Sequence, residues 1–140
     1  HVAVDELYGS PESNRRFDVL HAFLASLGFN RKCALAGFSR GGLDSCNWAV
    51  RNPAKVSSLY LDNAVCDFKS WPGGKGRGPG DSASWHRCLA AWGFTEAQAL
   101  AFEGNPVDNL KPLADARKSA NLTPHTPSPP PRGRGDDCRD

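Results

Sequence analysis

A serine lies at the centre of the pentapeptide Gly37-Phe38-Ser39-Arg40-Gly41. A serine hydroxyl is a weak nucleophile unless a base accepts its proton and fixed donors stabilise the oxyanion that forms. The two glycines of the pentapeptide are typical of a sharp turn between a strand and a helix, because they remove side chains that would clash there, and Gly42 relaxes the packing further. The pattern predicts that Ser39 is a nucleophile and that the backbone N–H of Arg40 donates to the oxyanion.

The residues on either side of this motif decide whether the pattern is more than chance, because Gly-x-Ser-x-Gly also occurs in many loops. Cys33 to Ala36 is apolar at every position, which predicts a short parallel strand buried on both faces by helices. Leu43, Cys46 and Val50 recur at helical spacing, and Asn52-Pro53 ends that helix. A strand before the serine and a helix after it favour the catalytic interpretation.

The neighbouring segments predict a parallel α/β arrangement. Residues 1–7 are interpreted as the end of a strand, and Ser10 and Pro11 as the N-cap and first position of a helix that ends at Gly28. Val56 to Leu61 is the next predicted strand. The alternation of helices and strands with short connections indicates a parallel sheet. The first predicted helix carries an apolar stripe formed by Phe17, Leu20, Leu24 and Leu27, with Val19 and Phe23 alongside.

Composition limits the partners. The 140 residues, 39% of them hydrophobic, are enough for one domain or part of one, and the start at His1 without any methionine is expected of a fragment or processed form. The net charge of +2, without a basic stripe, predicts no nucleic-acid partner. No apolar run approaches the length of a membrane span, so no membrane partner is expected. The compartment is left open.

The cysteines do not indicate a metal site or cofactor. Five are present (Cys33, Cys46, Cys66, Cys88 and Cys138), without a Cys-x-x-Cys pair or a histidine at ligand spacing. The odd count favours free thiols over a disulfide framework. No metal and no cofactor are therefore predicted.

A catalytic acid and base are harder to assign than the nucleophile. Asp62 and Asp67 follow the second predicted strand, and Asp62 is the candidate acid, with a loop or capping aspartate as the alternative for each. His86 falls in a predicted helix beyond the sheet and His125 in a Pro-rich tail, so neither is held rigidly against Ser39. Both histidines are interpreted as bystanders.

Beyond the second strand, the sequence predicts a long loop and several helices. Residues 71–80 are rich in Gly and Pro and are predicted to be a loop. Helices are predicted at 84–92, at 96–102 with Thr95 as N-cap, and at 110–120. From Thr123 the composition predicts disorder. The tryptophans at 71, 85 and 92 either line a sugar- or aryl-binding pocket or anchor a small core.

Four stretches resemble a group of largely uncharacterised bacterial α/β-hydrolases, some of them thought to act on carbohydrate esters. The resemblance implies that Ser39 is the nucleophile and that residues 65–110 form an inserted lid that selects the substrate. It also implies an acid in a later Gly-x-x-Asp turn and a histidine beyond it, but the chain departs from the pattern after Arg117. An out-of-frame or truncated tail is our hypothesis for that departure. The stretches are Tyr8-Gly9-Ser10-Pro11-Glu12, Gly37 to Leu43 with Asn47-Trp48-Ala49, Ala64 to Gly76, and Gly104 to Leu110.

These observations predict a partial α/β-hydrolase fold, with a mostly parallel sheet, flanking helices and a helical lid. The expected divisions are a nucleophile-bearing core (1–62), a lid-like insertion (63–110), a return segment (111–122) and a disordered tail (123–140). The predicted function is a serine hydrolase acting on a small-molecule or carbohydrate-linked ester. The alternative is a non-catalytic remnant or binding module of the same fold. A nucleotide-binding domain ranks last, because no dinucleotide fingerprint follows a strand.

Overall fold

The computed structural model describes residues 7–109. The first six residues, the predicted helix at 110–120 and the predicted tail from 123 lie outside the described residues. Within them, helices alternate with the strands of a small parallel sheet, which is a mixed α/β arrangement. The elements are α1 (Pro11–Ser26), β1 (Cys33–Phe38), α2 (Gly41–Arg51), a 3-10 turn (Pro53–Lys55), β2 (Val56–Asp62), α3 (Ser82–Trp92) and α4 (Glu96–Ala101).

Both ends of α1 form as the sequence predicts. The Ser10 hydroxyl accepts the backbone N–H of Ser13 at 3.3 Å, and Pro11 occupies the first turn. After the helix, Gly28 takes a φ of 87° that a side chain would disfavour. The N–H groups of Gly28 and Phe29 then return to carbonyl oxygens of the last turn, each at 3.1 Å. This is the Schellman arrangement, and it stops α1 by satisfying its free carbonyls.

The strands β1 and β2 pair in parallel, with Phe38 of β1 opposite Asp62 of β2. The helix α2 packs on one face of this pair. On the other face, Ala34, Ala36 and Phe38 are exposed, so the prediction that β1 is buried on both faces is wrong for the described residues. The reason is that, within residues 7–109, α2 covers only one face of the two strands. On the uncovered face, the rings of Phe38 and Tyr60 lie 5.9 Å apart while 58% and 60% exposed.

The apolar stripe of α1 is only partly buried. Phe17 contacts Trp48 of α2, with ring centroids 5.9 Å apart. Val19, Phe23 and Leu27 remain exposed among the described residues. The side chains that α1 buries most deeply are instead polar, because its first turn packs against the start of α2.

The buried core lies between the first half of α2 and the segment that follows β2. Its centre is Phe68, whose ring contacts Trp92 at 5.5 Å and Phe102 at 5.4 Å between centroids. The indole N–H of Trp92 donates to the carbonyl oxygen of Tyr8 at 2.9 Å. Trp85 is buried in this core and Trp71 and Trp92 are partly buried against it, so the tryptophans anchor a core, as the second of the two sequence interpretations proposed. The buried apolar members are Tyr8, Leu43, Phe68, Trp85, Cys88 and Ala99.

The helices after the loop begin with side-chain caps. Asp81 accepts the N–H of Ser84 at 2.6 Å at the start of α3, two residues before the predicted start. Thr95 and Gln98 form a reciprocal capping box at the start of α4, which confirms Thr95 as N-cap. Residues 71–80 contain no helix or strand, as predicted. None of the helices within residues 7–109 has the length and apolar character needed to cross a bilayer.

Candidate active site

Ser39 occupies the turn between β1 and α2. Its φ is 49°, in the left-handed region that a residue with a side chain rarely adopts. Such a conformation costs about 1–3 kcal/mol and persists only where the surrounding structure enforces it. Ser39 is exposed, so the strained turn lies at the surface of the described residues. This confirms the sharp strand-to-helix turn predicted from the glycine pattern.

Three backbone hydrogen bonds hold Ser39 in this conformation. Its N–H donates to the carbonyl oxygen of Asp62 at 3.1 Å, which continues the pairing of β1 with β2. Its carbonyl oxygen accepts the N–H of Gly42 at 3.1 Å and the N–H of Val65 at 2.7 Å. The end of β2 and the turn after it therefore contact both the N–H and the carbonyl oxygen of Ser39.

The glycines around Ser39 differ in what a Cβ atom would meet at each position. A Cβ atom on Gly37 would collide with Ser45 Oγ, and one on Gly42 would lie 2.6 Å from the carbonyl oxygen of Val65. A Cβ atom on Gly41 would meet nothing within 4 Å. The clash predicted at Gly37 is confirmed, whereas the one predicted at Gly41 is wrong. The close approach falls one residue later, at Gly42, because the helix turns that position toward the segment after β2.

Arg40 follows Ser39 and is the N-cap of α2. Its backbone N–H belongs to the peptide unit that joins it to Ser39, at the positive end of the helix dipole. The pKa of Asp81 is lowered chiefly by its hydrogen bonds with Ser84 and further by the charges of Arg87 and Arg40. Arg40 thus links the serine turn to the start of α3 electrostatically.

Asp62, the candidate acid, ends β2 beside the serine. Its carbonyl oxygen bonds the N–H of Ser39, and its carboxylate is exposed without a hydrogen-bond partner among residues 7–109. The structure brings Asp62 close to Ser39, and its role as an acid stays a prediction. Asp67 has a local task instead, because its carboxylate accepts the N–H of Lys69 at 2.8 Å within its own turn.

No histidine is hydrogen-bonded to Ser39 within residues 7–109. His86 is exposed on α3. His21 contacts the carbonyl oxygen of Arg31 at 2.9 Å and packs on the ring of Trp48, 5.6 Å between centroids. His125 lies outside the described residues. Within residues 7–109 the turn therefore brings an exposed Ser39 beside the backbone of Asp62, and neither His21 nor His86 is hydrogen-bonded to the serine.

The four described cysteines are free thiols, in agreement with the sequence prediction, and Cys138 lies outside the described residues. Burial raises the pKa of Cys46 to about 12, with a further contribution from the neighbouring Cys66. Burial also raises the pKa of Cys88 to about 12. Among the described residues, no three His, Cys, Asp or Glu side chains are grouped in a way that could hold a metal ion.

A buried polar network behind the serine turn was missed from the sequence. The Asp44 carboxylate accepts the N–H of Gly9 at 2.7 Å and the hydroxyl of Ser13 at 2.6 Å. The side-chain amides of Asn14 and Asn47 both donate to the carbonyl oxygen of Gly9. The available signal was the pair of polar residues one turn apart, Asp44 and Asn47, in an otherwise buried helix. The network joins the start of α1 to α2 and so orients the helix that carries the serine turn.

Comparisons with protein-family models, with curated proteins and with solved structures find no match for this chain. The chemistry and geometry of the site are therefore the features from which function is inferred. Those features are an exposed serine in a strained turn, the helix N-terminus that follows it and the adjacent end of β2.

Proposed function

We propose that this chain is the nucleophile-bearing part of an α/β-hydrolase and acts as a serine hydrolase on ester bonds. The observation that carries the proposal is the left-handed conformation of Ser39, with a φ of 49°, at an exposed strand-to-helix turn. A strained serine in this position is the arrangement by which α/β-hydrolases expose their nucleophile. The substrate class we propose is a small-molecule or carbohydrate-linked ester.

In the proposed reaction, Ser39 Oγ attacks the carbonyl carbon of the ester while its proton passes to a base. The carbonyl oxygen becomes an oxyanion, which the N–H of Arg40 stabilises at the N-terminus of α2. The tetrahedral intermediate then releases the alcohol, leaving an acyl group on Ser39. Water hydrolyses this acyl-enzyme and restores the serine.

Asp62 is the proposed acid of this site. Its support is position: its carbonyl oxygen bonds the N–H of Ser39, so the two residues end adjacent strands at the same edge of the sheet. An acid there would orient a base that takes the serine proton. Where a triad base is removed, the oxyanion hole and binding alone leave a residual rate of roughly 10³–10⁴-fold over water.

The insertion contributes substrate selection in this proposal. Val65 joins it to the carbonyl oxygen of Ser39, and the charge of Arg40 reaches Asp81 at the start of α3. Residues that contact the serine turn from the insertion are the ones able to contact the leaving group or the acyl group of a bound ester.

The second candidate is a non-catalytic remnant or binding module of the same fold. One observation favours it: neither histidine of the described part contacts Ser39. In that case the strained turn would persist for structural reasons, and the site would bind a ligand without turnover.

Labelling of the full chain with a fluorophosphonate separates the two candidates. We expect wild-type protein to be labelled and Ser39→Ala to remain unlabelled, because the probe reacts with activated serines. Ser58→Ala is the matched control, since Ser58 is an exposed serine on β2 outside the turn. A wild-type protein that is folded by circular dichroism but unlabelled would support the binding module instead.

A further inference from the structure

Besides Ser39, a residue in the turn after β2 is also held in the left-handed region. Asn63 has a φ of 46°, and its side chain is exposed. We propose that the Asn63 carboxamide donates the second hydrogen bond to the oxyanion formed at Ser39. This inference rests on the serine-hydrolase function proposed above and assigns the donor that complements the N–H of Arg40.

The position of Asn63 is set by the hydrogen bonds on either side of it. The carbonyl oxygen of Asp62 accepts the N–H of Ser39 at 3.1 Å, and the N–H of Val65 donates to the carbonyl oxygen of Ser39 at 2.7 Å. Asn63 and Ala64 therefore lie between Asp62 and Val65, which are both hydrogen-bonded to the backbone of Ser39. A residue anchored in this way keeps its distance from Ser39 when substrate binds, which is the preorganisation that an oxyanion donor needs.

The carboxamide of Asn63 has no structural task among the described residues. Elsewhere in the chain, turn residues use their side chains locally: Asn30 accepts the N–H of Lys32 at 2.8 Å, and Asp67 accepts the N–H of Lys69 at 2.8 Å. The Asn63 side chain makes no hydrogen bond within residues 7–109. Tolerance of a positive φ accounts for asparagine here only in part, because glycine supplies that tolerance better.

The chemistry assigned to Asn63 is hydrogen-bond donation without proton transfer. As the bond from Ser39 Oγ to the carbonyl carbon forms, the π electron pair moves onto the oxygen, and the Asn63 Nδ2–H group donates to that oxygen. The bond is weak toward the neutral ester and strong toward the oxyanion, so it lowers the barrier more than it strengthens substrate binding. A side-chain amide is one of the donor types that oxyanion holes use.

The test measures the rate of fluorophosphonate labelling at Ser39 in the full chain, together with hydrolysis of p-nitrophenyl acetate. Asn63→Gly removes the amide and keeps the left-handed backbone, and Asn63→Asp keeps the size but replaces the donor with a carboxylate. We expect both variants to label about 10²-fold more slowly, which is the usual loss for one oxyanion donor. The thermal midpoint of Asn63→Gly should match that of the wild type. Asn30→Gly, in a turn remote from Ser39, is the matched control and should label at the wild-type rate.

Each outcome decides the inference. A wild-type rate in folded Asn63→Gly overturns the role of Asn63, while Ser39-dependent labelling of the parent keeps the proposed function. If Asn63→Gly fails to fold, Asn63→Asp decides in the same way. A variant that changes KM but not kcat would place Asn63 in substrate binding and would also overturn the inference. Absence of labelling in folded wild type overturns both proposals together.

Discussion

The sheet region (residues 10–62) and the insertion region (residues 63–109) are packed very differently. In the sheet region the buried apolar side chains belong to α2 (Leu43, Cys46, Trp48 and Ala49), whereas α1 and the open face of the strands expose large apolar side chains, with Phe23 at 57% and Phe38 at 58%. In the insertion region, Phe68 is 1% exposed and lies in a cluster of stacked and tilted aromatic rings. The segment expected to be a lid is therefore built like a core.

The serine turn lies at the border between these regions and depends on both. The sheet region supplies the strand that ends at Phe38 and the helix that begins at Gly41. The insertion region supplies the bond from Val65 and the close approach to Gly42. The strain at Ser39 is thus maintained in part from the insertion side, and substitutions in each region can test the contrast in packing.

The largest expected effect is at the centre of the insertion core. Phe68→Ala should lower the free energy of unfolding by about 3–5 kcal/mol, because it leaves a cavity among buried rings. Phe38→Ala is the matched control in the sheet region, and its effect should stay within about 0.5 kcal/mol because the side chain is already exposed. Urea denaturation measures both. Equal losses would show that the two regions are packed alike.

The buried network behind the turn should give the next largest effect. Asp44→Ala leaves the N–H of Gly9 and the hydroxyl of Ser13 without their acceptor, at a cost of about 3 kcal/mol. Ser13→Ala removes a donor and leaves the bond to Gly9 in place, so its cost should be about 1 kcal/mol. Thermal and urea unfolding of the two variants test this order. A smaller loss for Asp44→Ala than for Ser13→Ala would contradict it.

The adjacent glycines of the serine motif should differ by a smaller amount. Gly42→Ala should cost about 1–3 kcal/mol and slow labelling of Ser39, because the new methyl group would press on the carbonyl of Val65. Gly41→Ala enters open space and should be neutral or stabilise the helix by up to about 1 kcal/mol. Unfolding midpoints and labelling rates, measured on the same samples, check both. Similar behaviour of the two variants would mean that the insertion does not press on the turn.

The smallest effect is expected on the surface of α1. Hydrogen bonds from Arg15 and Arg16 lower the pKa of Glu12 from 4.5 to about 2. Because the pKa is depressed in the folded state, the stabilisation is present above the unfolded value and is lost as pH falls toward 2. Glu12→Gln should therefore lower the unfolding midpoint slightly at pH 6, and the difference from wild type should shrink toward pH 2. A constant difference across this range would exclude the charge as its cause.

The sequence predicts the features that depend on neighbouring residues. Ser10, Gly28, Asn52 and Thr95 mark helix ends where the structure has them, because capping uses atoms within one turn. The strained turn at Ser39 was predicted for the same reason, since the glycines that indicate it lie within three residues of the serine. Features that depend on which distant segments meet were not predicted. They include the open face of the sheet and the hydrogen bond from the Gly9 N–H to the Asp44 carboxylate across 35 residues.

The same difference between local and long-range features applies to the candidate site. The proximity of Asp62 to Ser39 was predictable, because the carboxyl ends of parallel strands meet at one edge. The left-handed turn at Asn63 was not, since asparagine tolerates that conformation without requiring it. The sequence also did not show which of the two glycines has no room for a side chain. Gly41 and Gly42 differ in what lies against them in the folded chain.

The hydrogen bond from Trp92 to the carbonyl oxygen of Tyr8 spans 84 residues. During synthesis the sheet region leaves the ribosome first. Trp92 and the complete aromatic core emerge only after α3 has been synthesised. Until then the chain exposes the apolar surface that the aromatic rings later cover. Closing so long a loop carries an entropic cost that local helix formation avoids. The aromatic core that packs against Val65 is therefore assembled late in folding, after a stage at which chaperones would find an extended apolar surface to bind.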